Sequence, residues 1–291
     1  MAEHVRDIKR RIRSIQNTEQ ITKAMEMVAA ARLRHAQERV ESARPYSEKI
    51  DELIRRLAEN TSEITHPLFI PRERHKVGYV VFTSDSGLCG AFNSHVIRRA
   101  EVEMSAQEVD VSLVIVGRKG RDYFRRRNHT FLAEFLAIGD KPLMSQARGI
   151  AGALVDLYNG NIVDEVNLVY TEFISTGRQQ PVMFKLLPLT APQIEESEER
   201  DEGAVSDYII EPDAQSVLEM LLPRFIEAEI FRAQLEAKAS EEAARMLAMG
   251  NATENAKEMI DQLTLLSNKL RQAAITREIS EIVGGAEALK G

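Results

Sequence analysis

The stretch IRSIQNTEQITKAMEMVAAARLRHAQERV, Ile12 to Val40, contains neither glycine nor proline. Its apolar or small residues recur mostly in alternating steps of three and four: Ile12, Ile15, Thr18, Thr22, Met25, Ala29, Leu33, Ala36 and Val40. That period predicts a helix with one narrow stripe, suited to a single partner helix rather than to a broad core. The pattern reaches back to Ile8 and on to Ala43, and residues 3–57 hold no glycine and one proline, Pro45. Some fifty helical residues extend about 75–80 Å, beyond the breadth of a globular domain of this chain length.

So narrow a stripe needs a second one, and the other end of the chain supplies it. There Met246, Met249, Thr253, Ala256, Ile260, Leu263, Ser267, Leu270 and Ala274 repeat in heptad steps, between Pro223, read as a first-turn residue, and Gly284-Gly285, read as the stop. Many of these positions are Ala, Thr or Ser, which bury little area per turn but let two helices approach closely. A slim antiparallel coiled coil of the two chain ends is the expectation.

Between them the texture changes. The runs VGYVVF, VSLVIVG and EVNLVYTEFIS read as strands, with a further one in PVMFKLLPL, and helices are expected near 95–104, 119–127 and 144–158. Strands alternating with helices predict a mostly parallel sheet covered by helices. The fold class is thus α/β plus coiled coil, with a Rossmann-like domain over 75–212, an N-terminal helix over 1–57 and a C-terminal helix over 213–291. EESEERDE, 195–202, reads as a loop.

Composition supports this division. Hydrophobic residues make up 44% of the 291 and aromatics only 5%, with no Trp, the signature of long helices around a modest core. No run of 18 apolar residues occurs, and MAEHVRDIKRRIRS lacks the apolar stretch of a signal peptide, which predicts a chain neither membrane-spanning nor secreted. One cysteine allows no intrachain disulfide and no CxxC metal site, and the six histidines form no HExxH pattern. The net charge of -7 argues against a nucleic-acid partner, although residues 1–44 carry ten Lys or Arg against six Asp or Glu, a basic end able to face an acidic partner.

The motif closest to catalysis is SDSGLCGAFN, Ser84 to Asn93, a tight turn between a strand and a helix. As an enzyme site it would use Cys89 as a nucleophile at a helix start, helped by His95. As scaffold, Cys89 is a small buried hydrophobe in a turn whose glycines permit close backbone approach. Neither GxGxxG nor GxxxxGK[ST] occurs here or in VGRKGRDYF, where Arg118 and Lys119 open the next helix.

Taken together, IQNTEQITKAMEMVAAARL, SDSGLCGAFN, ARMLAMGNATENA and NKLRQAAITREISEIVGG resemble the gamma subunits of F-type ATP synthases, in the right order across essentially the whole chain. The resemblance implies a non-catalytic central stalk of a proton-translocating enzyme, with no cofactor of its own, coupling rotation of a c-ring to ATP synthesis or hydrolysis on beta subunits. It implies alpha, beta and epsilon subunits and the c-ring as partners, and a peripheral place on the cytoplasmic face of a bacterial plasma membrane. By the same resemblance Met25, Arg245, Arg271, Gln272 and Thr276 fall where the shaft meets beta subunits, and Tyr208 and Glu211 where the foot meets the c-ring. Ser86 stands where the family loop commonly has Arg. The competing readings are an α/β enzyme using Cys89 and a freestanding coiled-coil adaptor.

Overall fold

Helix α1 spans Ala2–Asn60 and helix α5 Ala214–Ala288. The structure, a computed structural model, describes residues 2–60, 66–139, 142–189 and 213–288. Between the long helices lie β1 (Lys76–Phe82), α2 (Phe92–Ser105), β2 (Asp110–Val116), α3 (Arg118–Arg125), β3 (Phe131–Phe135), α4 (Met144–Asn159), β4 (Glu165–Ser175) and β5 (Arg178–Leu187). By internal contacts the chain divides into two units, one of Met1–Ala30 with Arg245–Gly291 and the other of Ala31–Ala244. Both long helices cross that division without a break.

In the second unit five strands lie in the order β3-β2-β1-β4-β5. The pairs of β1 with β2, β1 with β4 and β2 with β3 are parallel, and β5 closes the edge antiparallel to β4. The order reverses beside β1, the doubly wound arrangement in which ligands bind at the carboxyl ends of the strands. Alternation along β1 sorts its side chains: Val77, Tyr79 and Val81 face α2 and α3, whereas Val80 and Phe82 join a larger core with α4 and α5. Ile50 and Ile54 of α1 belong to that second core.

In the first unit α1 and α5 run antiparallel. Thr22 meets Thr253 through their hydroxyl oxygens at 2.9 Å, and a Cβ added to Gly250 would lie 3.6 Å from the Glu26 carboxyl carbon. Arg11, Ser14 and Ile15 share a surface cavity with Met259, Leu263 and Leu266. Ile8, Thr22 and Ala29 of the first stripe and Met249, Thr253, Ala256 and Ser267 of the second are buried. Thr18 departs from its stripe, since it is exposed and its hydroxyl donates back to the Ser14 carbonyl at 3.1 Å.

Three readings of the sequence need correction. The C-terminal helix begins at Ala214, not at Pro223, because Asp213 caps it: its carboxylate accepts from the Ser216 backbone N–H and hydroxyl, both at 2.8 Å. Pro223 therefore sits inside the helix, and so do Gly284 and Gly285, which do not stop it. β3 went unpredicted because FLAEF is short and only half-buried at the edge.

Candidate functional site

The turn after β1 is closed on itself. Asn93, in the first turn of α2, accepts the Ser84 backbone N–H on Oδ1 at 3.0 Å, while its Nδ2 donates to Ser84 Oγ at 2.8 Å and to Cys89 Sγ at 3.2 Å. Cys89 is 1% exposed and belongs to the main core, whereas His95 lies on the exposed side of α2. The enzyme reading needs an accessible thiolate beside a base, and the turn instead buries the thiol and turns the imidazole outward. SDSGLCGAFN is scaffold, with Leu88 and Gly90 at positive φ making the turn tight.

The start of α3 is equally occupied. Asp85 Oδ1 accepts the Arg118 N–H at 3.1 Å and that of Ala137 at 3.2 Å, the Ser84 carbonyl accepts Lys119 N–H at 3.0 Å, and Thr83 Oγ1 accepts Gly120 N–H at 2.9 Å. A helix N-terminus binds phosphate through such amides. Here the protein's own oxygens take them. Gly117 makes this closeness possible: at φ +95° an added Cβ would lie 2.1 Å from the Thr83 carbonyl oxygen. α5 then contributes Gln234, Ala237, Lys238 and Glu241 to the crevice at the ends of β1 and β2.

Charge inside the second unit is concentrated on α5. Glu242 is fully buried and forms an ion pair with Lys238 Nζ at 2.9 Å, with an Arg32 guanidinium nitrogen at 3.9 Å. Burial opposes the Lys238 charge, but Glu241 and Glu242 outweigh it and raise its pKa. Farther along, Glu236 shares a cavity of about 270 Å³ with Arg44, Glu172, Glu229 and Arg232. Burial pushes its carboxyl up to about 7, against the pull of Arg232.

Contact surface is abundant in the first unit. Met25 is half-buried, Arg245 is 6% exposed, and Arg271, Gln272 and Thr276 are exposed on the last quarter of α5. Tyr208 and Glu211 lie outside the described residues. Sequence reasoning missed a second feature of this region. With Thr22 opposite Thr253, the start of α1 falls opposite about residue 273, so later residues of α5 have no length of α1 to face. Ile275, Ile279, Ile282 and Val283 are exposed there at i, i+4, i+7 and i+8, an apolar line on one side of the helix. Its spacing was readable, but the heptad count ended at Ala274.

A helical seam with exposed apolar and basic faces, continuous in sequence with an α/β unit whose ligand turn is already filled, defines a subunit that works through its surfaces. Among the described residues no helix is long and apolar enough to cross a membrane. The family model described as ATP synthase matches residues 4–289. The ATP synthase gamma chain of Moorella thermoacetica is 52% identical over 287 residues, covering 99% of each chain, and that of Desulfitobacterium hafniense is 50% identical over 285 residues, covering 98% and 99%. A chain of the Euglena gracilis mitochondrial ATP synthase, solved as OSCP/F1/c-ring in rotational state 3, shares the fold with a TM-score of 0.70 at 20% identity over 99% of this chain and 95% of that one. A central stalk/c-ring chain from Tetrahymena thermophila gives 0.59 at 23% identity over 80% and 99%. The chain belongs to the ATP synthase gamma-chain family, as a non-catalytic subunit of the central stalk.

Proposed function

We propose that the chain turns inside a ring of alpha and beta subunits, the beta subunits doing the chemistry, while residues 75–212 act as a foot on the epsilon subunit and c-ring. Residues 1–57 and 213–291 are then the shaft. The observation that carries this reading is the continuity of α5: one 75-residue helix belongs first to the α/β unit and then to the seam. Torque entering one unit is delivered to the other along backbone hydrogen bonds, with no loop to yield.

The magnitudes are demanding. One charge crossing 100 mV is worth about 2.3 kcal/mol. Several per catalytic event approach the roughly 5–15 kcal/mol that holds a whole domain folded. Two paired helices spread that load over many bonds.

In this reading the exposed Arg271, Gln272 and Thr276, with Met25, meet beta subunits at particular rotor angles, Arg271 through a planar fork suited to carboxylates and carbonyls. Arg245 has the same fork but is buried within the chain, so its contact with a beta subunit requires the side chain to come to the surface. Tyr208 and Glu211 take the c-ring contact. The assembly sits peripherally on the cytoplasmic face of a bacterial plasma membrane.

Native mass spectrometry of complexes recovered through a tag on this chain tests the assignment, with ATPase followed in parallel. One copy bound to three copies each of two nucleotide-binding subunits, with ATPase only in that assembly, is the expected result. Recovery solely as a lone or self-associated chain from intact membranes would favour the adaptor.

A further inference from the structure

We propose that the crevice at the carboxyl ends of β1 and β2 is a binding site for a neutral planar heterocycle presenting a hydrogen-bond donor beside an acceptor. The cavity measures about 190 Å³ and lies wholly within the α/β unit, closed on one side by α5. At about 30 Å³ per water, that is the space of roughly six waters or one small ring system.

Gln234 points to the ligand. It is 3% exposed and lines the crevice, yet among the described residues neither its Nε2 nor its Oε1 has a hydrogen-bond partner. Burying an amide with both ends unmet costs on the order of 2 kcal/mol or more, so native folds keep few such groups, and one that lines a cavity points to a partner held there. A primary amide presents a donor and an acceptor side by side, the pattern with which glutamine pairs to a purine edge.

The other polar groups argue for neutrality. Lys238 is matched by Glu241 at 3.2 Å and Glu242 at 2.9 Å, and the Asp85 carboxylate is engaged by the Arg118 and Ala137 amides. The α3 amides that could receive a phosphate already bind Thr83, Ser84 and Asp85. A charged ligand would have to break one of these sets, whereas an uncharged one need only satisfy Gln234. Phe82, Phe92, Val116 and Ile138 add apolar wall suited to a flat ring. Occupation would join α5 to the ends of β1 and β2, at the root of the helix that carries the seam.

The test follows the Gln234 side-chain amide by NMR in the isotopically labelled full-length chain, its resonance assigned by loss in Gln234→Leu. Nicotinamide and uracil are the probes, and toluene, which has neither donor nor acceptor, is the control. The proposal predicts a saturable shift with nicotinamide or uracil, none with toluene, and affinity weakened at least about tenfold in Gln234→Leu, the loss of one hydrogen-bonded pair. Should that variant misfold, Gln234→Asn, which withdraws the amide by one methylene, is expected to weaken binding instead. No saturable shift with either probe, ordered water alone bridging Gln234, or undiminished affinity in the variant that folds would overturn it.

Discussion

The two parts of α5 are buried in different ways. From Phe225 to Ala243 no residue of the helix is exposed, with Ile226, Ile230, Ala239, Ser240 and Glu242 at or near zero exposure. Among the described residues from Met249 onward only Met249, Thr253, Ala256 and Ser267 are buried. A helix covered on every side belongs to a core, and a helix with one thin stripe belongs to a pair. The first part anchors and the second reaches. One continuous helix does both, so stability and contact surface are segregated along its length rather than between domains.

Substitutions that remove volume from the anchored unit should have the largest effect. Leu154 is 1% exposed in the main core, and Leu154→Ala is expected to cost about 2–5 kcal/mol in chemical denaturation. Ile15→Ala in the half-buried seam should cost well under half as much. Equal costs would erase the contrast between the two regions.

Next comes a dependence on pH confined to the anchored unit. Glu236 is raised by burial to about 7 from an ordinary 4.5, so the folded chain holds its proton more tightly than the unfolded one. That contribution is fully present below the unfolded value and is lost as pH rises through about 7. Arg232 and Arg44 pull the carboxyl down, while Glu172 and Glu229 push it up. Denaturation midpoints of the parent should fall by the equivalent of about 1–3 kcal/mol between pH 5 and pH 8, and Glu236→Gln should flatten the profile. A profile of unchanged slope in the variant would remove Glu236 from the account.

The seam offers two smaller tests. Thr253 Oγ1 meets both Thr22 Oγ1 at 2.9 Å and the Met249 carbonyl at 2.8 Å, a buried hydroxyl pair in a thin stripe. Thr22→Val or Thr253→Val alone should cost about 0.5–1.5 kcal/mol by removing the hydrogen bond between the helices, the remaining hydroxyl keeping its backbone acceptor at Met249 or Glu19, and the double variant should cost less than the sum. Strict additivity would mean the hydroxyls do not interact. Gly250→Ala should be neutral to stabilising by up to about 1 kcal/mol in thermal unfolding, since the added Cβ meets the Glu26 carboxyl at ordinary contact distance. Marked destabilisation would show that the helices need the closer approach.

Much of this was readable in the residues. Period fixed the two stripes, because a seam leaves one side apolar whatever the rest of the fold does, and alternation with glycine breaks marked β1, β2 and β4. Helix ends were less legible: Pro223 looks like a start, yet Asp213 caps earlier, and Gly284-Gly285 looks like a stop where the helix simply continues. The filling of the α3 N-terminus by Thr83, Ser84 and Asp85 could not be read at all, since it depends on two strand ends meeting in space. Nor could the burial of Gln234, which in the sequence is one polar letter in a helix.

In the proposed function the seam transmits torque. Ile260 and Leu263, both half-buried on the α5 stripe, are the positions at which to weaken it without touching the exposed contact residues. Replacing both by Gly costs about 1 kcal/mol per residue in helix propensity, in addition to the apolar burial lost. Proton-driven ATP synthesis in membrane vesicles, normalised to the abundance of assembled complex, is predicted to fall severalfold in the Ile260→Gly, Leu263→Gly double variant. Unchanged synthesis at normal abundance would contradict the account.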